Sequence, residues 1–122
     1  MASRTLNVLE GHRIALAGAA VEAGEVALGS RSALAEWAGM HRSQITRAAR
    51  GQDVGGEEGW RLTSLAAVVT ALLSIYEPDA VSGWLAGANP FLNDRRPLDV
   101  LAHGDLAAVM SAVQAARAGV FA

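Results

Sequence analysis

The sequence predicts an all-α fold, on three observations. Small residues, alanine above all, supply much of a 52% apolar content while aromatics make up 5%, a balance that suits closely packed helices better than a sheet sandwich. Apolar residues recur at helical spacing, most clearly Leu62, Leu65, Ala66, Val69, Leu72, Leu73 and Tyr76. Long alternating β-branched runs are absent, and several glycines and prolines fall where helices would stop and restart. With 122 residues the chain has room for one compact domain, or for two small helical units sharing a core. The expected architecture is a helix-turn-helix-like region over residues 1–52, followed by a 53–122 module in which a long central helix carries a small C-terminal set of helices.

In chain order, a tail through His12 precedes a first helix over Arg13–Leu28 that ends near Gly29. Ser30 or Ser32 caps a second helix holding Leu34, Ala35, Trp37 and Ala38, and Gly39 stops it. A third spans Arg42–Arg50 up to Gly51, with His41 at the N-cap, where Ser, Thr, Asp or Asn would bond the free backbone donors better. The stretch GQDVGGEEG, Gly51–Gly59, is the obvious linker. It lacks the Gly-Lys-Ser/Thr ending of a phosphate-binding loop. Leu62–Tyr76 is apolar almost all round and predicts the central buried helix.

The last third carries the clearest punctuation. Pro78 suits a first helical position, Val81, Trp84 and Leu85 share one face, and Gly87 suits a left-handed stop, giving a helix over Asp79–Ala86. Asn89-Pro90 forces a turn and leaves Phe91–Arg96 as a fixed connector. Pro97 restarts a helix with Asp99 in its dipole-favoured first turn, and Gly104 ends it. Asp105 caps a final helix with the stripe Leu106, Val109, Met110 and Val113, until Gly119 breaks it and exposes Val120, Phe121 and Ala122.

Several function classes are disfavoured at this level. Without cysteine there is no disulfide frame, thiolate metal site or thiol nucleophile. Ile14–Val21 is too short to span a bilayer, so a cytoplasmic protein without membrane contact is expected. His12, His41 and His103 show no metal-ligand spacing and read as surface or turn residues, so neither metal nor cofactor is expected. Asp99 and Asp105 are explained by helix starts, and together with Asp94 they make no recognisable acid pair. No catalytic residue is assigned, and the protein is not expected to be an enzyme. Trp37 and Trp84 read as core aromatics, whereas Trp60 either closes the linker over the core or marks an oligomer contact.

The net charge of −2 is unevenly spread, the first fifty residues being the basic part, and all ten fixed cations are arginines. Ser32–Gly51, SALAEWAGMHRSQITRAARG, has helix-turn-helix spacing: Ala35 at the close approach, Gly39 in the turn, and Met40, Ile45 and Ala48 in the wedge. Its wording resembles the DNA-reading unit of bacterial repressors. In such a unit Arg42, Ser43, Gln44 and Arg47 would face bases and phosphates, Gln44 suiting adenine and Arg47 guanine, with Arg50 nearer the backbone. The alternative is a plain helical hairpin packed on the long helix. The acidic overall balance argues against tight DNA binding.

The order and spacing of Trp84, Asn89, Leu92, Arg95, Pro97, Leu98, Leu101, Gly104 and the closing Gly119-Val120-Phe121 resemble the toxin-binding domain of Xre/MbcA/ParS-type antitoxins. Ala88 departs from the family's usual Pro, and Asn93-Asp94 stand where a Gly-rich turn is common. The resemblance implies a non-enzymatic antitoxin whose partner is a RES-domain toxin that consumes NAD. It also implies toxin contacts at Trp84, Asn89, Arg95, Arg96, Gly119, Val120, Phe121 and Ala122. The tail Val120-Phe121-Ala122 would enter the toxin's cleft, Phe121 as an apolar anchor and a carboxylate at Ala122 as an anion. Two plainer readings stand beside it: Val120 and Phe121 fold back on their own core, and Arg95 and Arg96 are solvated connector charges. A homo-oligomer, or a hetero-oligomer with the toxin, is expected. The competing function is a stand-alone repressor that dimerises through its C-terminal half on operator DNA.

Overall fold

The computed structural model describes the backbone of residues 2–52 and 59–121, and the side chains of residues 11, 12, 15–52 and 59–119. Among the described residues there are seven α-helices and no strand. They are α1 (Ala2–Leu28), α2 (Arg31–Ala38), α3 (Arg42–Ala49), α4 (Trp60–Leu73), α5 (Pro78–Ala86), α6 (Pro97–Ala102) and α7 (Leu106–Phe121), with a 3-10 turn at Pro90–Leu92 before α6. Residues 53–58 of the expected linker lie outside the described residues.

Local chemistry sets most of the helix ends. Ser30, not Ser32, caps α2, its Oγ accepting the Ala33 N–H at 3.0 Å. Asp105 does the same for α7, where its Oδ1 accepts from Ala108 at 3.0 Å. Gly39 and Gly104 have φ of +70° and +88°, the left-handed conformation in which a side chain would be strained. Each closes a Schellman motif: Met40 N–H to Ala35 O and Gly39 N–H to Glu36 O in the first, Asp105 N–H to Val100 O and Gly104 N–H to Leu101 O in the second.

Four boundaries differ from the sequence expectation. Helix α1 begins at Ala2, so no N-terminal tail precedes Arg13 and α1, not α4, is the longest helix. Residues 2–12 hold good helix formers such as Arg4, Leu6, Leu9 and Glu10 and no proline, so the helix extends through Gly11 and His12. Helix α4 stops at Leu73 because Glu77-Pro78 cannot continue it, and Glu77 is extended at ψ 155°. Gly87 ends α5 with φ of −84°, extended toward Ala88 rather than left-handed. Gly119 does not break α7, which runs on to Phe121. Glycine permits a left-handed stop but does not enforce one, and neither proline nor a polar cap follows it.

One contiguous apolar core joins all seven helices. Helix α4 lies at its centre, with Leu62, Leu65, Val68, Val69 and Leu72 buried and α1, α5, α6 and α7 packed around it. Helix α1 also packs on α2, α3 and α5. Gly24 allows that approach: a Cβ there would lie 2.9 Å from Leu34 Cδ1 and 3.1 Å from Leu65 Cδ2, closer than packed carbons sit.

Polar contacts then tie the two halves of the chain together. The Trp37 indole N–H donates to Leu98 O at 3.0 Å, linking α2 to α6 across 61 positions of sequence. Arg61 donates to Trp37 O at 2.8 Å and stands 5.3 Å over the Trp60 ring, a cation–π contact. Trp60 itself is 40% exposed, and a Cβ at Gly104 would come within 3.8 Å of its ring. Arg31 bridges Glu25 at 2.6 Å and the Thr46 hydroxyl at 3.1 Å, which locks α1, α2 and α3 to one another.

Candidate partner-binding surface

The segment between α5 and α6 is a built loop. Asn89 Oδ1 accepts the Phe91 N–H at 2.9 Å, and the Asn89 carbonyl accepts from both Leu92 and Asp94 at 2.9 Å. The Asn89 N–H donates to Arg95 O at 3.1 Å, and the two residues form an isolated antiparallel bridge. Leu92 plugs the base of the loop into the core at 2% exposure, while Ala88, Pro90 and Phe91 face outward. Phe91 is 73% exposed, the most open of the large apolar side chains among the described residues.

Asn93 and Asp94 turn the loop, with φ of 57° and 62°. Both take the left-handed conformation that glycine adopts freely and that Asn and Asp tolerate best among other residues. This is how the chain manages without a Gly-rich turn at these positions. Asp94→Gly is expected to leave unfolding stability unchanged or raise it slightly. Asp94→Val should lower it by about 1–2 kcal/mol, the penalty for a β-branched residue held left-handed. Urea denaturation of the two variants checks this.

The two connector arginines are engaged differently. Arg95 donates from Nε to Leu92 O at 2.9 Å, and no carboxylate partner for it is found among the described residues. Arg96 makes a two-pronged pair with Asp99, Nε to Oδ2 at 2.9 Å and a second nitrogen to Oδ1 at 2.8 Å. That hydrogen bond holds the Asp99 carboxyl below the usual carboxylate range and raises the Arg96 guanidinium. His103, whose Nδ1 lies 2.8 Å from Asp99 O, adds a smaller pull in the same direction on Asp99.

Because the folded pKa of Asp99 is depressed, its contribution is present above the unfolded value and is lost as pH falls through the folded one. Both side chains are nearly half exposed, so solvent screening limits the pair to at most about 1 kcal/mol. Asp99→Asn should therefore destabilise slightly at neutral pH and match wild type in acid. Paired thermal melts down to pH 2 would read this out.

The remaining residues singled out from sequence fall in separate places. Trp84 is half-buried against the core on α5, as expected for a core aromatic. Gly119 is exposed on α7, the backbone of Val120 and Phe121 continues that helix, and Ala122 lies outside the described residues. Arg117, two residues before Gly119, crosses to Ser74 Oγ at 2.9 Å. Its Nε is buried without a partner. The structure thus brings Asn89, Arg95 and Arg96 together on one loop, and adds Phe91, which the sequence reading left as connector. Of the aspartates, Asp99 pairs with Arg96, Asp105 caps α7 and Asp94 turns the loop.

A second surface lies on α3. Ile45 and Ala48 are buried, while Arg42, Ser43, Arg47 and Arg50 are exposed, and none of these arginines is in an ion pair among the described residues. Gln44 is half-buried, and its Oε1 accepts the His41 N–H at 2.8 Å. That bond is the return half of a capping box. A Gln reading adenine needs the same oxygen to accept from the base while its amide donates. Gln44 thus spends one of its oxygen's two lone pairs on capping the N-terminus of α3, and the exposed arginines beside it carry the positive charge that suits a polyanion.

Among the described residues no cluster of His, Asp or Glu could hold a metal ion, and no helix is long and apolar enough to cross a membrane. No family model matches the chain, and no curated protein matches it. The fold is similar to that of a chain in the crystal structure of the M. tuberculosis MbcT–MbcA toxin–antitoxin complex. The match has a TM-score of 0.64 at 25% sequence identity, and covers 86% of this chain and 96% of that one. This likeness supports an antitoxin-like fold.

Proposed function

We propose that this protein is the antitoxin of a toxin–antitoxin pair, neutralising a RES-type, NAD-consuming toxin by binding it through the C-terminal half. The observation that carries the reading is likeness to a chain of a toxin–antitoxin complex over most of both chains, together with the Trp84-to-Phe121 series of residues. Asn89, Arg95 and Arg96 supply a preformed loop, and Trp84 lies on the preceding helix α5, half-buried against the core. Gly119, Val120, Phe121 and Ala122 block the toxin's cleft. Because α7 is helical through Phe121, this end approaches the cleft as the last turn of a helix and not as a strand released at Gly119. Both proposed regions, 1–52 and 53–122, contribute buried residues to one core.

The test is binding between the purified protein and the product of the adjacent reading frame, followed by calorimetry and size-exclusion chromatography. A stable complex that suppresses NAD consumption by that product supports the reading, and absence of any complex overturns it.

The second reading, a stand-alone operator-binding repressor of cytoplasmic DNA, is favoured by three exposed arginines, two on α3 and Arg50 at its C-cap, that have no acidic partner among the described residues. It predicts salt-sensitive binding to the chain's own upstream DNA without any other protein. The two readings are compatible: an antitoxin with a competent α3 can also repress its own promoter.

A further inference from the structure

Three large apolar side chains are exposed among the described residues: Val26, Trp60 and Phe91. Val26 lies along a groove of α1, α4 and α5, and the Trp60 ring is covered by the Arg61 guanidinium. Among the described residues Phe91 has no cation contact of this kind. A lone exposed aliphatic side chain needs no explanation, but here an aromatic ring stands at the apex of a loop fixed in place. Two left-handed non-glycine residues, the Asn89 turn, the Asn89–Arg95 bridge and the buried Leu92 all hold it there. Ala88 and Pro90 extend the apolar surface on either side. Arg95 is anchored by Nε to the carbonyl of Leu92, the residue next to Phe91, so one charge stays at the edge of this knob.

Such an arrangement has the properties of a binding anchor. A side chain carried on a backbone that is already fixed loses little backbone freedom on docking, and buried aromatics beside a guanidinium dominate many protein interfaces. We infer that Phe91 is the principal anchor of the toxin-binding surface outside the cleft, seated in an apolar socket of the toxin with a carboxylate at its rim to meet Arg95. This rests on the proposed antitoxin role. It adds a specific residue and the chemistry of its receptor. The loop then supplies affinity while the end of α7 supplies the block, so two contacts divide the work.

The experiment measures affinity between the product of the adjacent reading frame and the full chain as wild type, Phe91→Ala and Phe91→Trp. Circular dichroism melts serve as a fold control, since Phe91 contributes little to the core. The expected result is a loss of about thirtyfold or more for Phe91→Ala, with unchanged melting and near wild-type binding for Phe91→Trp. Binding of Phe91→Ala within twofold of wild type overturns the anchor while leaving the antitoxin reading intact. If Phe91→Ala instead dissolves a homodimer without weakening the complex, the occupant is a second copy of this chain and the inference is equally overturned. If wild type forms no complex, the underlying reading fails first, and this inference falls with it.

Discussion

Removing Val120 to Ala122 is expected to weaken the complex with the cognate toxin by between about 30-fold and several hundredfold, and to release its activity. Phe121, as an aromatic hot spot buried in the complex, contributes about 2–4 kcal/mol at about 1.4 kcal/mol per tenfold. The deletion should leave the fold intact, because Val109, Ala112 and Val113, the buried residues of α7, lie well before Gly119. Thermal melting within a few degrees of wild type checks this, and a titration of toxin activity against antitoxin reads the effect. A truncated protein that inhibits as well as the full chain removes the end of α7 from the mechanism. It would leave the Phe91 loop as the surface to test.

Leu65→Ala carries the largest expected effect on stability, a loss of about 2–5 kcal/mol. Leu65 is fully buried on the central helix, and its Cδ2 faces the Gly24 position where α1 closes on α2 and α4. Deleting its methyls opens a cavity at the junction of three helices. The backbone of α1 is already in close approach there and cannot move inward to fill it. For a domain with a total stability of about 5–15 kcal/mol this is a large fraction. Urea unfolding gives the difference directly. A change below about 1 kcal/mol would mean that α1 is not packed against α4 as described.

The contrast between what sequence revealed and what it hid follows the range of the interactions. Pro97, Gly104 and Asp105 announced α6 and α7 because each acts on its own backbone within a few residues. Ser30, Gly39 and Gly51 likewise marked the ends of α2 and α3. The start of α1 was hidden because Gly11 and His12 look like a break, although the helix formers before them carry no proline and let the helix continue. Gly119 was misread because a glycine near a helix end is compatible with both stopping and continuing.

The surface was harder to read for a different reason. Asn89, Arg95 and Arg96 stood out by spacing, but the exposure of Phe91 follows from the way Leu92 turns inward, a tertiary outcome that no periodicity encodes. The bond from Trp37 to Leu98 spans 61 positions and was equally invisible. Gln44 shows the converse, a residue whose local capping role, legible in the Gln three places after His41, competes with the base-reading role assigned to it.

The most direct measurement is growth and cellular NAD in cells that express the product of the adjacent reading frame, alone and together with this protein. The account predicts that the neighbour alone arrests growth and depletes NAD, and that co-expression of the full chain restores both. A neighbour that leaves growth and NAD unchanged, or whose toxicity persists in the presence of this protein, would contradict the antitoxin role.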